Sequence, residues 1–257
     1  MRIAACLWGL PGDPVAAAGR MRELDYDTVD VDPGYAELEG ADRTGAKLTV
    51  TCLAAGHLFP EGVALEAADD EARGRAVARV EASLREATGL GAEFVYVAAP
   101  TSGPENRKRF RESMVGLADA AAGLERRLCI EPFPNSGLPS VAAMLDFLEE
   151  TGHPGLHVLL DVGHCLIAGE DPAAAVEACG ERLGYVHFDD NDGKGDLHLA
   201  LTDGVLTAET ISETLAAVAA STHEGPVAVA VEGHLHLPDP AAAMAQSLRI
   251  LRDCEPG

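Results

Sequence analysis

The stretch Val158-Leu159-Leu160-Asp161-Val162-Gly163-His164 decides how the rest of the chain reads. Three consecutive apolar residues mark a strand covered on both faces, as the strands of a parallel sheet are. The run then stops on a carboxylate, Asp161. An ionised carboxylate directly after buried positions is costly unless it finds a partner. The stretch therefore predicts a parallel α/β core and a polar group set at the carboxyl end of one of its strands.

Working outward, the same pattern repeats. Apolar runs lie near 3–8, 27–32, 47–54, 93–99, 127–131, 156–161, 183–188 and 226–232, and Val227-Ala228-Val229-Ala230-Val231 is the second clear buried run. Between them, Ala-, Leu- and Glu-rich stretches at 69–89, 104–123, 139–151, 207–220 and 238–252 carry helical patterning. Pro139-Ser140, Asp171-Pro172 and Pro238-Asp239-Pro240 are helix-start signals. A helix near 36–45 is expected after the second strand. About eight strand–helix units in 257 residues predict an α/β fold of the (β/α)8 TIM barrel type, one domain spanning 1–257. No G-x-G-x-x-G follows the first strand, which argues against an open dinucleotide-binding sheet.

Charge narrows the function classes. The 19 basic and 42 acidic residues give a formal net charge of -23. Such a surface repels phosphodiester backbone and anionic membrane, so neither nucleic acid nor membrane is an expected partner. The run Asn106-Arg107-Lys108-Arg109-Phe110-Arg111 is basic but falls on a helical stretch, where a solvated face explains it. None of the six cysteines forms a C-x-x-C pair, and several sit in apolar runs as small hydrophobes. A reduced, cytoplasmic chain is expected. The first residues run straight into a strand without the pattern of a signal peptide, and no run of about 18 apolar residues predicts a membrane span.

In a barrel of this type the active site lies at the carboxyl ends of the strands. The last four runs end in Glu131, Asp161, His187 and Glu232. No Arg or Lys stands nearby in sequence to neutralise three carboxylates meeting in one pocket, whereas a divalent cation would. Three oxygen donors and an imidazole suit Mn²⁺ or Mg²⁺ first, then Co²⁺ or Zn²⁺.

The residues around these positions resemble a known family. Asp161-Val162-Gly163-His164 looks like the D-x-x-H signature of the xylose-isomerase-like superfamily. Ile130-Glu131-Pro132-Phe133 resembles the E-P-L-N stretch of its ketose 3-epimerases. Val186-His187, followed by Asp189-Asp190-Asn191, resembles its H-x-x-D-N run, and Glu232 resembles its last metal ligand. The group also contains hydroxypyruvate isomerases, inosose and dehydroshikimate dehydratases, and apurinic-site endonucleases. The resemblance implies one metal held by Glu131, Asp161, His187 and Glu232. It also implies that Glu131 and Glu232 form the acid/base pair that moves a substrate proton through an enediolate. His164 is implied to bind a substrate oxygen. His198, in Asp196-Leu197-His198, would line the pocket, and the same D-x-H pattern resembles a metal-binding element of the endonucleases. Trp8 and His57 would wall the pocket, Lys194 would stand in the loop above the metal, and His234 and His236 follow Glu232 without an assignable direction. The implied partner is a small polyhydroxylated substrate, and the implied assembly is a homo-oligomer.

Two departures bear on the substrate. Pro134 precedes Asn135, and Gly137 and Leu138 stand where the ketose 3-epimerases carry a further glutamate; the stretch Phe188-Asp189-Asp190-Asn191-Asp192 lacks their arginine. Basic residues are sparse at the strand ends, which points to a non-phosphorylated substrate. A metal-dependent lyase acting on a keto-inositol, a dehydroshikimate-like acid or a keto-glycoside would use the same ligands. A non-catalytic metal- or ligand-binding barrel is the third reading. The endonuclease reading fails on charge and on the absence of a histidine at the end of Tyr96-Val97-Ala98-Ala99.

Overall fold

Eight parallel strands pair in chain order and close on themselves, β1 returning to β8 through Ile3 opposite Val227. The structure is a computed structural model that describes residues 1–38, 48–56, 59–232 and 237–256. The strands are β1 (Ile3–Cys6), β2 (Thr28–Val31), β3 (Thr49–Ala54), β4 (Phe94–Ala98), β5 (Arg127–Glu131), β6 (Leu156–Asp161), β7 (Leu183–Phe188) and β8 (Val227–Val229). Around them lie α1 (Pro14–Glu23), α2 (Asp70–Leu90), α3 (Pro104–Gly123), α4 (Val141–Thr151), α5 (Val162–Ala168), α6 (Pro172–Cys179), α7 (Ala208–Ala220) and α8 (Pro240–Asp253). This is the expected (β/α)8 TIM barrel.

Helix starts follow the expected signals. Ser140 Oγ accepts from Ala143 N–H at 3.2 Å, Asp171 Oδ1 from Ala174 N–H at 2.8 Å and Asp239 Oδ1 from Ala242 N–H at 3.0 Å. Each satisfies a backbone donor that the first helical turn leaves open. One expectation falls mostly outside the described residues and another needs correction. Of the helix expected near 36–45, the described part shows Tyr35–Glu37 as one 3-10 turn, and 39–47 lie outside the described residues. The eighth run, expected to reach 232, pairs only over Val227–Val229, so Glu232 stands three residues past its strand. No described α-helix lies between β2 and β3.

Alternation along each strand divides the core in two. Val158, Leu160 and Val186 face the helices, while Leu159, Tyr185 and Cys129 fill the barrel interior. Cys6 and Cys52 sit inside the barrel too, as small apolar fillers, and all six cysteines are free. Two irregularities break the alternation. Across β6 and β7 the register runs Val158↔Leu183 and then Leu159↔Tyr185, so Gly184 is an extra residue. Across β2 and β3 it runs Val29↔Val50 and then Asp30↔Cys52, so Thr51 is extra. Such bulges re-aim side chains, and these two act on the residues beneath the strand ends. Position 184 must be glycine: a Cβ there would come 2.5 Å from Cys129 Sγ and 2.7 Å from His157 Cβ. Among the described residues, no helix is long and apolar enough to cross a membrane.

Candidate active site

Three of the four expected strand-end ligands meet. Glu131 ends β5, Asp161 ends β6, and His187 is the last but one residue of β7. These residues are 7 %, 1 % and 2 % exposed. His187 Nδ1 lies 3.8 Å from Glu131 Oε1 and 4.0 Å from Asp161 Oδ2, and one donor atom from each residue falls within 4.8 Å of the others.

The D-x-x-H sequence has a local reason. Asp161 is the N-cap of α5, and its Oδ1 accepts from His164 N–H at 2.8 Å. One oxygen is thus spent on the helix, which places His164 one turn on, beside the same pocket. The other, Oδ2, is buried with no hydrogen-bond partner. Among the described residues no Lys or Arg pairs with Glu131 or Asp161; their ionic neighbours are histidines. An orphaned buried carboxylate oxygen, a second carboxylate and an imidazole nitrogen fit a divalent cation. An octahedral ion with ligands at about 2.1 Å spaces them roughly 3 to 4.2 Å apart, the range of the distances above.

Glu232 stands at the same mouth but is not within that trio. Its Oε1 is 3.8 Å from His198 Nε2, its side chain is 13 % exposed, and its N–H donates to His198 O at 3.3 Å. His198 belongs to a second convergence, with His164 Nε2 3.3 Å and His198 Nε2 3.1 Å from Asp196 Oδ1. Each ring is held from behind: His164 Nδ1 lies 3.0 Å from Pro132 O, and His198 Nδ1 lies 3.0 Å from Ala230 O and against Asp189 Oδ2. A proton on each Nδ1 satisfies those carbonyls and turns Nε2 toward the pocket. The donor set can grip a substrate hydroxyl or a cation.

The loop that delivers Asp196 and His198 is tied down by the residues after His187. Asp190 accepts from the N–H groups of Gly204 at 2.7 Å and Leu206 at 2.9 Å, and Asn191 Oδ1 accepts from His198 N–H at 3.2 Å. His198 itself takes φ 45°, a left-handed backbone that a side chain adopts at a cost.

Charge and burial set the proton affinities. Burial pushes the Glu131 carboxyl up, with His164 and His187 opposing it. Burial and then Asp161 raise Asp189 to about 7. For His164, burial opposes protonation but is outweighed by Asp161, Asp196 and Glu131, which lift it to about 10. His187 is raised by Asp30 and Glu131 against the same burial, and His198 is raised by Asp189 and Asp196. Burial works against ionisation of Asp196, but the His164 and His198 rings beside it outweigh that and hold it well below the carboxylate range.

Of the remaining sequence candidates, Trp8 reaches the site: its ring centroid is 6.5 Å from that of His187. It also lines a cavity of about 410 Å³ with Leu10, Pro11, Asp32, Tyr35 and Leu38. Lys194 is exposed, and its backbone N–H donates to Asp192 Oδ1 at 2.9 Å; the structure does not bring it into either cluster. His57, His234 and His236 lie outside the described residues. Sequence reasoning missed Asp30, Asp189, Phe133 and Tyr96. Asp30 is fully buried with Oδ2 3.6 Å from His187 Nε2. Phe133 meets the His164 ring edge-on at 4.7 Å, and Tyr96 meets His187 likewise at 5.4 Å. Asp30 carried a signal, a carboxylate inside the apolar run at 27–32, and Phe133 and Asp189 lie within the motif stretches without having been assigned a role.

Comparison with known proteins bears on the family and the fold. The family model of the xylose isomerase-like TIM barrel matches residues 20–254. An L-ribulose 3-epimerase of Mesorhizobium japonicum is 28 % identical over 188 residues, covering 71 % of this chain. The match spans 58 % of that relative's own length. Among solved structures, the 3-keto-D-glucoside 4-epimerase YcjR of E. coli superposes with TM-score 0.80 at 21 % identity, covering 99 % of this chain and 100 % of that one. A D-allulose 3-epimerase from Methylomonas sp. gives TM-score 0.79 at 19 % identity, covering 99 % and 98 %. At these identities the two structures speak to the fold.

Proposed function

Because the chain belongs to the xylose isomerase-like TIM barrel family, we propose that it is a divalent-metal-dependent epimerase or isomerase of a small non-phosphorylated sugar or hydroxy-keto compound. The observation that carries this reading is the meeting of Glu131, Asp161 and His187 around an oxygen of Asp161 that has no hydrogen-bond partner. The similarity to an L-ribulose 3-epimerase supports the sugar class.

Glu131, Asp161, His187 and Glu232 would hold the ion, with Mn²⁺ or Mg²⁺ suited by the three oxygen donors. When bound, the ion supplies a Lewis acid that polarises a carbonyl and the neighbouring hydroxyl. The protein's own residues do the rest. Glu131 and Glu232 take and return the proton on the carbon beside the carbonyl, as an acid/base pair. His164 and His198, locked through Nδ1, hold substrate hydroxyls at Nε2. Trp8 covers the sugar on the side of the cavity beside it, whose volume of about 410 Å³ lies in the range for small ligands. We place the protein in the cytoplasm, supported by its free, mostly buried cysteines, and expect a homo-oligomer, to be checked by light scattering.

The test is isotopic. Mn²⁺-loaded protein is incubated in D2O with ketopentoses, ketohexoses and 3-keto-glucosides, and the products are read by NMR and mass. Deuterium at the carbon beside the carbonyl, lost in Glu131→Gln and Glu232→Gln, supports the reading. Loss of water or of an aglycone from the substrate would replace it with the lyase. Metal binding without exchange on any substrate would leave a binding barrel.

A further inference from the structure

His187 has two nitrogens and a different set of acidic groups at each. Nδ1 faces Glu131 at 3.8 Å and Asp161 at 4.0 Å. Nε2 faces Asp30 Oδ2 at 3.6 Å and Cys6 Sγ at 4.0 Å, deeper in the barrel. The ring serves the site only if its proton stays on the deep side.

Asp30 is built to keep it there. It is fully buried on β2, and its Oδ1 is already engaged: Tyr185 O–H donates to it at 2.8 Å, and Thr51 Oγ1 lies 2.7 Å away. Thr51 reaches it from the bulge in β3, and Tyr185 follows the bulge in β7. Two hydroxyls from two irregular strands therefore fix the carboxylate plane through Oδ1, and Oδ2, which also takes the weak Cys6 Sγ donor at 3.9 Å, faces His187. Among the described residues, His187 is the only basic side chain that pairs with Asp30. A buried carboxylate without a cationic or N–H partner is costly, so the arrangement is satisfied when Nε2–H points at Oδ2.

We infer that Asp30 is the positioning residue of the site: it holds the proton of His187 on Nε2, so that Nδ1 presents its lone pair between Glu131 and Asp161. That a divalent ion takes this lone pair rests on the function proposed above; the tautomer does not. Carboxylates placed behind an imidazole ligand in this way orient the ring and raise its basicity, and their loss weakens metal affinity by about 10- to 100-fold.

Asp30→Asn separates the two halves. The amide oxygen can still receive Tyr185 and Thr51, which turns the amide N–H2 toward Nε2. Nε2 must then accept, and the proton moves to Nδ1. Long-range ¹H–¹⁵N spectra of the metal-free protein, taken at the alkaline end of a titration where the ring is neutral, read the tautomer directly. The expected result is Nε2–H in the wild type and Nδ1–H in Asp30→Asn, with Mn²⁺ and Co²⁺ affinity by calorimetry about 10- to 100-fold weaker in the variant. Tyr185→Phe, which keeps the carboxylate, should retain Nε2–H. A neutral wild-type ring carrying its proton on Nδ1, or an unchanged tautomer in Asp30→Asn, overturns the inference. Should Asp30→Asn fail to fold, the wild-type spectrum alone decides. A wild type with Nε2–H that takes up neither metal upholds the role of Asp30 and sinks the metal-dependent function instead.

Discussion

A Cβ on Gly163 would overlap Asp189 Oδ1, so the first turn of α5 and the residue after β7 meet across a gap that only glycine leaves open. The contact joins the two segments that carry Asp161, His164 and His187.

Gly163→Ala should therefore hurt both stability and site. Overpacking a tight contact costs about 1–3 kcal/mol. Urea unfolding should show that loss, and calorimetry should show weakened Mn²⁺ binding, because Asp189 and His198 must shift together. An unchanged variant in both measurements would mean the gap is slack.

Asp161 combines a structural duty with a chemical one, and substitution can divide them. Asp161→Asn keeps an oxygen for the N–H of His164, so stability should hold within about 1 kcal/mol, while Mn²⁺ binding should fall below detection. Asp161→Ala should lose the cap as well, costing about a further 1 kcal/mol. Thermal melts and metal titrations on the pair distinguish the two duties. Equal metal affinity in Asp161→Asn and wild type would exclude Asp161 as a ligand.

Metal uptake should depend on pH in one direction. His187 is held above its ordinary value by Asp30 and Glu131, despite burial. Its Nδ1 must be free of a proton to bind an ion, so affinity should rise with pH through that elevated value and binding near neutrality should release protons. Calorimetry in buffers of differing ionisation heat counts the protons. A heat independent of buffer would contradict the shift.

Far below the site, His157 predicts acid sensitivity. Burial first, then the Arg127 and Arg182 guanidiniums, lower it from 6.5 to about 4. The folded state thus prefers the neutral ring, and between 6.5 and about 4 the unfolded chain binds more protons. Stability should fall as pH drops through that window and flatten below it. Urea midpoints measured across the range should slope less in His157→Gln than in the wild type; parallel slopes would remove His157 as a cause.

How far the sequence could be read follows from what each residue leans on. Glu131, Asp161 and His187 were legible because each interrupts a long apolar run, and in a parallel barrel such interruptions collect at one mouth. The caps at Ser140, Asp171 and Asp239 were legible because capping is a contact three residues long. Asp196 and His198 were harder, since their placement depends on a loop tied down by Asp190 and Asn191 over distances of up to 16 residues in sequence. Asp30 was passed over for a different reason. Its partners Thr51 and Tyr185 reach it only because β3 and β7 each hold one residue more than their neighbours, and a hydrophobic pattern does not display a surplus residue. The eighth strand was overdrawn because Ala230 and Val231 stay buried after pairing ends.

That surplus has a consequence for anyone editing the barrel. Strands of this fold look interchangeable, yet deleting Gly184 would restore even pairing along β7 and invert the parity of half the strand. Either the imidazole and phenol rings would swing out among the helices, or the whole segment would slide and unseat Leu183 and Phe188. Transplanting this strand into another barrel therefore carries the site only if its count of residues travels with its letters.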